Sequence, residues 1–276
     1  MTLTARNIII KSGIIFASLV VLFTVLVSFV LIPVYSSFDI ESFCRPAGFF
    51  QKITAPFLQP NFYAVHFSII ALAVFSLVAL CLLHHFFKNI QLPEISFIAV
   101  FVMSLSLEPV RFILPLSQVF DFSPIFLIFA SRCLLFGRYA GLFSLFASSI
   151  YSAGLDARNQ KNFMFIVVIT AFIIAVGIPL DTFTRETAFN AASSFNSVFR
   201  VLNGIIVFTT ITGFIISAYV RSSREYIFAG IGVLLVFAAR NMLITSDNWA
   251  GLPGVLVLAF GVWFTCTHLH KINHRL

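Results

Sequence analysis

Residues 13–35 read GIIFASLVVLFTVLVSFVLIPVY, without one Asp, Glu, Lys or Arg. A helix rises about 1.5 Å per residue, so this stretch reaches about 35 Å, enough to cross a hydrocarbon core of about 30 Å. Arg6 and Lys11 stand before it, a basic start that would also suit a secretory signal. The run is longer than the roughly 7–15 apolar residues of a signal peptide, however, and no small-x-small cleavage site follows it. It is expected to stay in the protein as a first membrane helix.

Seven more apolar runs follow, at 62–84, 95–116, 122–155, 163–180, 198–220, 226–245 and 251–269. They dominate a chain of 276 residues that is 60% hydrophobic and 10% charged. Soluble domains carry about 25% charged and 45–50% apolar residues. The balance excludes a soluble enzyme, a disordered tail and a disulfide scaffold. The expected fold is all-α, a polytopic membrane bundle of about eight transmembrane helices in one domain, 1–276. The fourth run would extend about 51 Å as a helix, too far for an upright span. It is expected to form either one long tilted helix or a span that breaks near Gly137 and continues along the interface. Short loops make sequential helices antiparallel neighbours. The longest loop, residues 36–61, holds Pro46, Pro56 and Pro60 and is expected on the outer surface.

The chain has 17 Lys and Arg against 10 Asp and Glu, a net charge of +7. In a membrane protein such an excess first reports orientation, because Lys and Arg collect in cytoplasmic loops. With eight spans, Arg6, Lys11, Lys88, Arg158, Lys161, Arg221, Arg224, Lys271 and Arg275 fall on one side. Arg45, Lys52 and Arg185 fall on the other. This asymmetry is expected to put both termini in the cytoplasm and removes the need for a nucleic-acid partner, and the absence of targeting features favours a plasma (inner) membrane. A faint 4+4 repeat, 1–157 and 158–276, is suggested by Arg111 and Arg240, each thirteen residues before a proline, Pro124 and Pro253.

Packing signals are plainer. Ala140, Ser144, Ser148 and Ser152 recur every four residues, flanked by Gly141, Ser149 and Ala153. Small side chains at this spacing let membrane helices approach closely. Gly251, Gly254 and Gly261 provide a looser version in the eighth run. Cys81, Cys133 and Cys266 lie in apolar runs and are expected as small buried hydrophobes, and Cys44 has no partner in its loop.

Ionisable residues at membrane depth are costly, about 2.5–3.5 kcal/mol at a helix centre on insertion scales, and they face protein or water. Glu108 and Arg111, three apart, share a helix face and can pair. Pro109 between them removes a backbone donor and is expected to bend the helix. Arg132 lies near the middle of the fourth run, Arg200 begins the sixth and Arg240 lies late in the seventh. Glu108, Arg111, Arg132, Arg200 and Arg240 are therefore the candidate ligand-binding residues. Four guanidiniums with one carboxylate suit a lipid phosphate, a carboxylate or another small anion, because the guanidinium fork stays charged and binds such groups through paired hydrogen bonds. The plainer alternative is a structural Glu108–Arg111 staple, with Arg200 and Arg240 snorkelling to headgroups. Arg138 falls deeper and is expected to reach cytoplasmic phosphates.

His84, His85, His268, His270 and His274 gather at cytoplasmic helix ends, and His66 stands alone near the outer end of the second run. A metal or haem site would need such imidazoles on facing helices, but without a nearby carboxylate they are expected to be interfacial groups; no metal or cofactor is expected. There is no G-x-S-x-G, H-E-x-x-H or G-x-x-x-x-G-K-[ST] motif, and Glu108 is the lone carboxylate recognised at depth, so an enzyme is the weaker expectation. The leading one is binding or transport of a small anionic ligand through an Arg-rich cavity in the outer half, with the lipid bilayer and an anionic lipid or small anion as partners. The rival is a sensory or assembly subunit acting through a protein partner. Water-accessible positions on both sides of Arg132 would mark a transporter; a specific co-purifying protein would mark the subunit.

Overall fold

The computed structural model describes residues 3–34, 61–90, 92–117, 119–120, 122–156, 159–186, 190–193, 196–246, 248–249 and 251–275. The proline-containing loop with Cys44, Arg45 and Lys52 lies outside the described residues, as do Arg158, Asp121 and Asp247.

Among the described residues, eight helices are long and apolar enough to cross a membrane. They are α1 (Leu3–Val34), α2 (Phe62–Phe87), α3 (Pro93–Leu105), α4 (Pro124–Ser152), α5 (Gln160–Gly177), α6 (Asn196–Val220), α7 (Glu225–Thr245) and α8 (Gly251–Arg275). The third span continues beyond α3 through a 3-10 turn, Glu108–Phe112, and a last helical turn, Ile113–Leu116. Apart from these helices, a short antiparallel hairpin of β1 (Leu180–Glu186) and β2 (Asn190–Ser193) joins α5 to α6, pairing Leu180 with Ser193 and Glu186 with Asn190. The protein is a multi-pass membrane helical bundle, and its outer surface meets the bilayer.

The distribution of side chains is that of a protein dissolved in lipid. Large apolar groups point outward, among them Phe29, Ile125, Phe208 and Leu256, each more than two-thirds exposed. Buried within the bundle are small hydroxyl residues, including Ser76, Ser144, Ser148, Ser152, Thr210 and Ser217. Ser144 donates to the Ala140 carbonyl at 2.6 Å and Thr210 to the Ile206 carbonyl at 2.7 Å. With no water available, these two hydroxyls are satisfied by the preceding turn of their own helices.

Local sequence explains where the spans start. Asn61 caps α2, its side chain accepting from the Tyr63 amide at 2.8 Å. Pro93 and Pro124 open α3 and α4 in their first turns, where a missing N–H costs nothing. Helix α1 begins at Leu3, ten residues before the apolar run, because its polar start is anchored. Arg6 is buried and its guanidinium donates to the carbonyls of Phe87 and Ile90, while Asn7 donates to the Lys88 carbonyl at 3.0 Å. These are carbonyls at and beyond the end of α2, which lack partners within that helix.

The fourth run resolves as one unbroken 29-residue helix, α4. At about 43 Å it must tilt to fit a core of about 30 Å. Gly137 does not break it. A Cβ there would meet Leu107 Cδ1 at 2.8 Å and Leu107 Cβ at 3.0 Å, and one at Gly141 would meet Ser104 Oγ at 2.4 Å. The two glycines, one turn apart, are where α3 lies against α4. Helices α7 and α8 meet through a similar pair: a Cβ on Gly232 would come 3.1 Å from the Gly261 carbonyl, and one on Gly261 would come 3.0 Å from the Gly232 carbonyl. Both small-residue seams are internal packing surfaces. Cys81, Cys133 and Cys266 are free thiols within α2, α4 and α8.

Side-chain bonds between helix ends define one face of the bundle. Besides the contacts of Arg6, Gln160 donates to the Pro93 carbonyl at 3.4 Å, Arg221 to the Tyr151 carbonyl at 3.4 Å, and Glu225 pairs with His268 at 2.6 Å. These contacts gather the starts of α1, α3, α5 and α7 with the ends of α2, α4, α6 and α8, the face that also holds both chain termini. This is the terminal face of the bundle.

Candidate functional site

The 3-10 turn after α3 follows from Pro109. Proline cannot donate to the helix ladder, and the chain tightens over Glu108–Phe112 instead of continuing as an α-helix. Glu108 and Arg111 remain three apart on one face and both are buried. Arg111 Nη1 lies 3.6 Å from Glu108 Oε2 and donates to the Leu243 carbonyl on α7 at 3.3 Å. The pairing anticipated from the i, i+3 spacing is present, though it is the looser of the two that Glu108 makes.

The tighter partner is Arg138. Its Nε donates to Glu108 Oε1 and its Nη2 to Glu108 Oε2, each at 2.9 Å. Arg138 therefore turns to the interior of the bundle, not to phosphates at its edge as its position along α4 suggested. The reason is the helix register. Gly141 against Ser104 and Gly137 against Leu107 align the antiparallel α3 and α4, and one further turn along α3 brings Glu108 to Arg138. A G-x-x-x-G spacing brackets Arg138 at 137–141, and that motif is the sequence signal for a close helix contact at its depth.

Arg240 on α7 completes the group. Its Nη2 donates to the Arg138 main-chain carbonyl at 2.9 Å, and its charge is felt at Glu108. Three guanidiniums and one carboxylate, from the third span, α4 and α7, thus meet inside the bundle. Beside them lies a cavity of about 10 Å³ lined by Leu72, Leu105, Glu108, Arg240, Leu243 and Ile244, room for about one water molecule. These four side chains carry a formal charge of +2 between them.

Two of the expected residues stand apart. Arg132 is six residues from Arg138, which turns it about 120° around the helix. Its Nε is buried without a hydrogen-bond partner among the described residues. Arg200 is exposed near the start of α6. Of the five candidates, Glu108, Arg111 and Arg240 are brought together with the added Arg138, while Arg132 and Arg200 are not.

The histidines also have definite places. His66 is fully buried, its Nε2 3.0 Å from Ser28 Oγ on α1 and its ring 4.7 Å from that of Phe112. His268 has the carboxylate that sequence inspection did not supply: its Nδ1 is 2.6 Å from Glu225 Oε2, with Phe228 and Phe264 against its ring at 5.0 and 4.4 Å. The same inspection passed over Glu94 in the first turn of α3, which is almost wholly buried. No known family model matches this chain, and no curated protein matches it.

Proposed function

We propose that this protein binds a small anionic group, a carboxylate or a phosphate, at the arginine cluster, and that binding serves its transport or retention in a plasma membrane with both termini cytoplasmic. The observation that carries the reading is the convergence of three guanidiniums: among the described residues, Arg111, Arg138 and Arg240 gather around Glu108 inside the bundle. Ionisable residues at membrane depth are costly and commonly line substrate or ion pathways. Arg138 and Arg111 are engaged with Glu108 and with backbone. Arg240 is the arginine that lines the cavity, so it is the group assigned to the ligand, with Arg138 and Glu108 holding the frame around it and the one-water cavity widening to admit the anion. Guanidinium geometry favours an oxyanion over a spherical halide, since the fork matches two oxygens at once.

The test is native mass spectrometry of the purified full chain in parallel with thermal unfolding in added inorganic phosphate or acetate. The wild type should retain an anionic adduct or gain stability with one of these anions, and Arg240→Gln should lose that response. Equal adduct occupancy and equal stabilisation in wild type and Arg240→Gln would remove the anion site.

A further inference from the structure

A second polar cluster, on the terminal face, involves five spans and is separate from the arginine group. Glu94 sits one residue into α3, after Pro93. It is 4% exposed, and its Oε2 is buried with no hydrogen-bond partner among the described residues. Phe97, one turn along α3, stacks on Tyr151 of α4 with ring centroids 5.2 Å apart, which sets Glu94 level with the last turns of α4. The hydroxyls of Ser148, Tyr151 and Ser152 in those turns are likewise buried and without partners among the described residues. Gln160 of α5 ties to the Pro93 carbonyl beside Glu94. Arg221, just after α6, donates to the Tyr226 hydroxyl on α7 at 2.9 Å and to the Tyr151 carbonyl at 3.4 Å, with its charge felt at Glu94.

This arrangement is unusual in one respect. A guanidinium is at hand, yet it is spent on a tyrosine hydroxyl and a carbonyl and makes no ion pair with Glu94. A buried carboxylate left unpaired costs several kcal/mol or more, and it avoids that cost by taking up a proton. A carboxylic acid can donate where a carboxylate cannot, and three unbonded hydroxyl oxygens lie in the adjoining turns of α4.

We propose that Glu94 is a proton-binding site opening to the terminal face. In the loaded form a proton taken from water resides on the Glu94 carboxyl, which donates to a hydroxyl oxygen of the Ser148, Tyr151 and Ser152 group. When the proton returns to water, the carboxylate draws Arg221 from Tyr226 and Tyr151 and pairs with it. Burial opposes the charge, while the α3 N-terminus and Arg221 favour it. Other ionisable groups on the packed elements are already engaged or lie at the helix ends. Glu225 is paired with His268, and Arg6 holds the carbonyls of Phe87 and Ile90. His84, His85 and Lys88 close α2, Lys161 lies in the first turn of α5, and Asp156 follows α4 near Tyr151. The site does not depend on the anion reading, since it shares no residue with the arginine cluster.

The experiment is an infrared pH titration of the full chain in lipid nanodiscs, following the carbonyl stretch of a protonated carboxyl. Spectra of the wild type minus those of Glu94→Gln should show a band that grows as pH falls and is shifted by deuterium exchange, and the band should persist when the subtraction is made in a Glu108→Gln background. Arg221→Gln should extend the band to higher pH, since the cation that favours the carboxylate is gone. A wild type without such a band at any pH, or a band unchanged in Glu94→Gln, overturns the proposal. If Glu94→Gln does not fold, the wild type and Arg221→Gln titrations decide: coincident curves count against the site.

Discussion

Arg138 on α4 grips Glu108 of the third span through two parallel hydrogen bonds, Nε to Oε1 and Nη2 to Oε2, both 2.9 Å. The pair is shielded from water, so each partner depends on the other. Removing one member of a buried pair leaves an uncompensated charge and costs about 3–5 kcal/mol, while removing both can be nearly neutral. Glu108→Gln should lower stability by about 3 kcal/mol or more. Arg138→Gln should cost less, because Arg111 still faces Glu108 at 3.6 Å, and the double variant should lose clearly less than the sum. Detergent-to-SDS unfolding of all four proteins measures the coupling; strict additivity would show that the two side chains act independently.

The α3–α4 contact separates two glycines that look alike in sequence. A Cβ at Gly141 meets chiefly the Ser104 hydroxyl at 2.4 Å, which can rotate away. At Gly137 it meets Leu107 Cβ at 3.0 Å and the Ser104 carbonyl at 3.2 Å, which cannot. Gly137→Ala should cost about 1–3 kcal/mol by overpacking, more than Gly141→Ala, and Ser104→Ala should rescue Gly141→Ala but not Gly137→Ala. Thermal unfolding midpoints in detergent give the order.

Arg6 is a structural arginine. It is buried and satisfies carbonyls at the end of α2, and hydrogen bonds from a charged donor contribute about 1.5–3 kcal/mol each net. Arg6→Ala should destabilise the α1–α2 pair by about that amount, and Arg6→Lys should recover only part, because an ammonium lacks the fork that reaches two carbonyls at once. Protease accessibility of the first turns of α1, compared across the three proteins, reports the loss directly.

Between α1 and α2, the 3.0 Å contact from His66 to Ser28 crosses a fully buried interface. Hydrogen bonds between membrane helices average about 0.6 kcal/mol and reach about 1.7 kcal/mol. Ser28→Ala should fall within that range. Its effect should vanish when His66 is already Leu, and a double-mutant cycle in SDS unfolding checks this.

Arg132 offers a contrast with Arg240. It makes no hydrogen bond among the described residues through its buried Nε and faces away from Glu108. Arg132→Gln should change stability by less than about 0.5 kcal/mol and leave anion retention intact. Arg240→Gln should abolish retention. Reversal of the two outcomes in native mass spectra would place the ligand at Arg132.

Fold class was legible in composition because the bilayer is a simple solvent. Runs such as 13–35 and 226–245 are too long and too apolar to be anything but spans, and Pro93, Pro124 and Asn61 mark where helices begin. The i, i+3 relation of Glu108 and Arg111 was equally local, as was the bend forced by Pro109. Counting along a helix gives depth but not direction, however. It placed Arg132 at the centre and Arg138 at the edge, because the G-x-x-x-G of α4 marks a close contact without saying which helix makes it. That was decided by Gly137 and Gly141, whose missing side chains set the interhelical register, and by Arg240 arriving from a helix more than one hundred residues away. The burial of Glu94 has the same origin. In sequence it is an ordinary first-turn carboxylate; only the packing of α4 against α3, with Arg221 bound elsewhere, deprives it of water and of a partner.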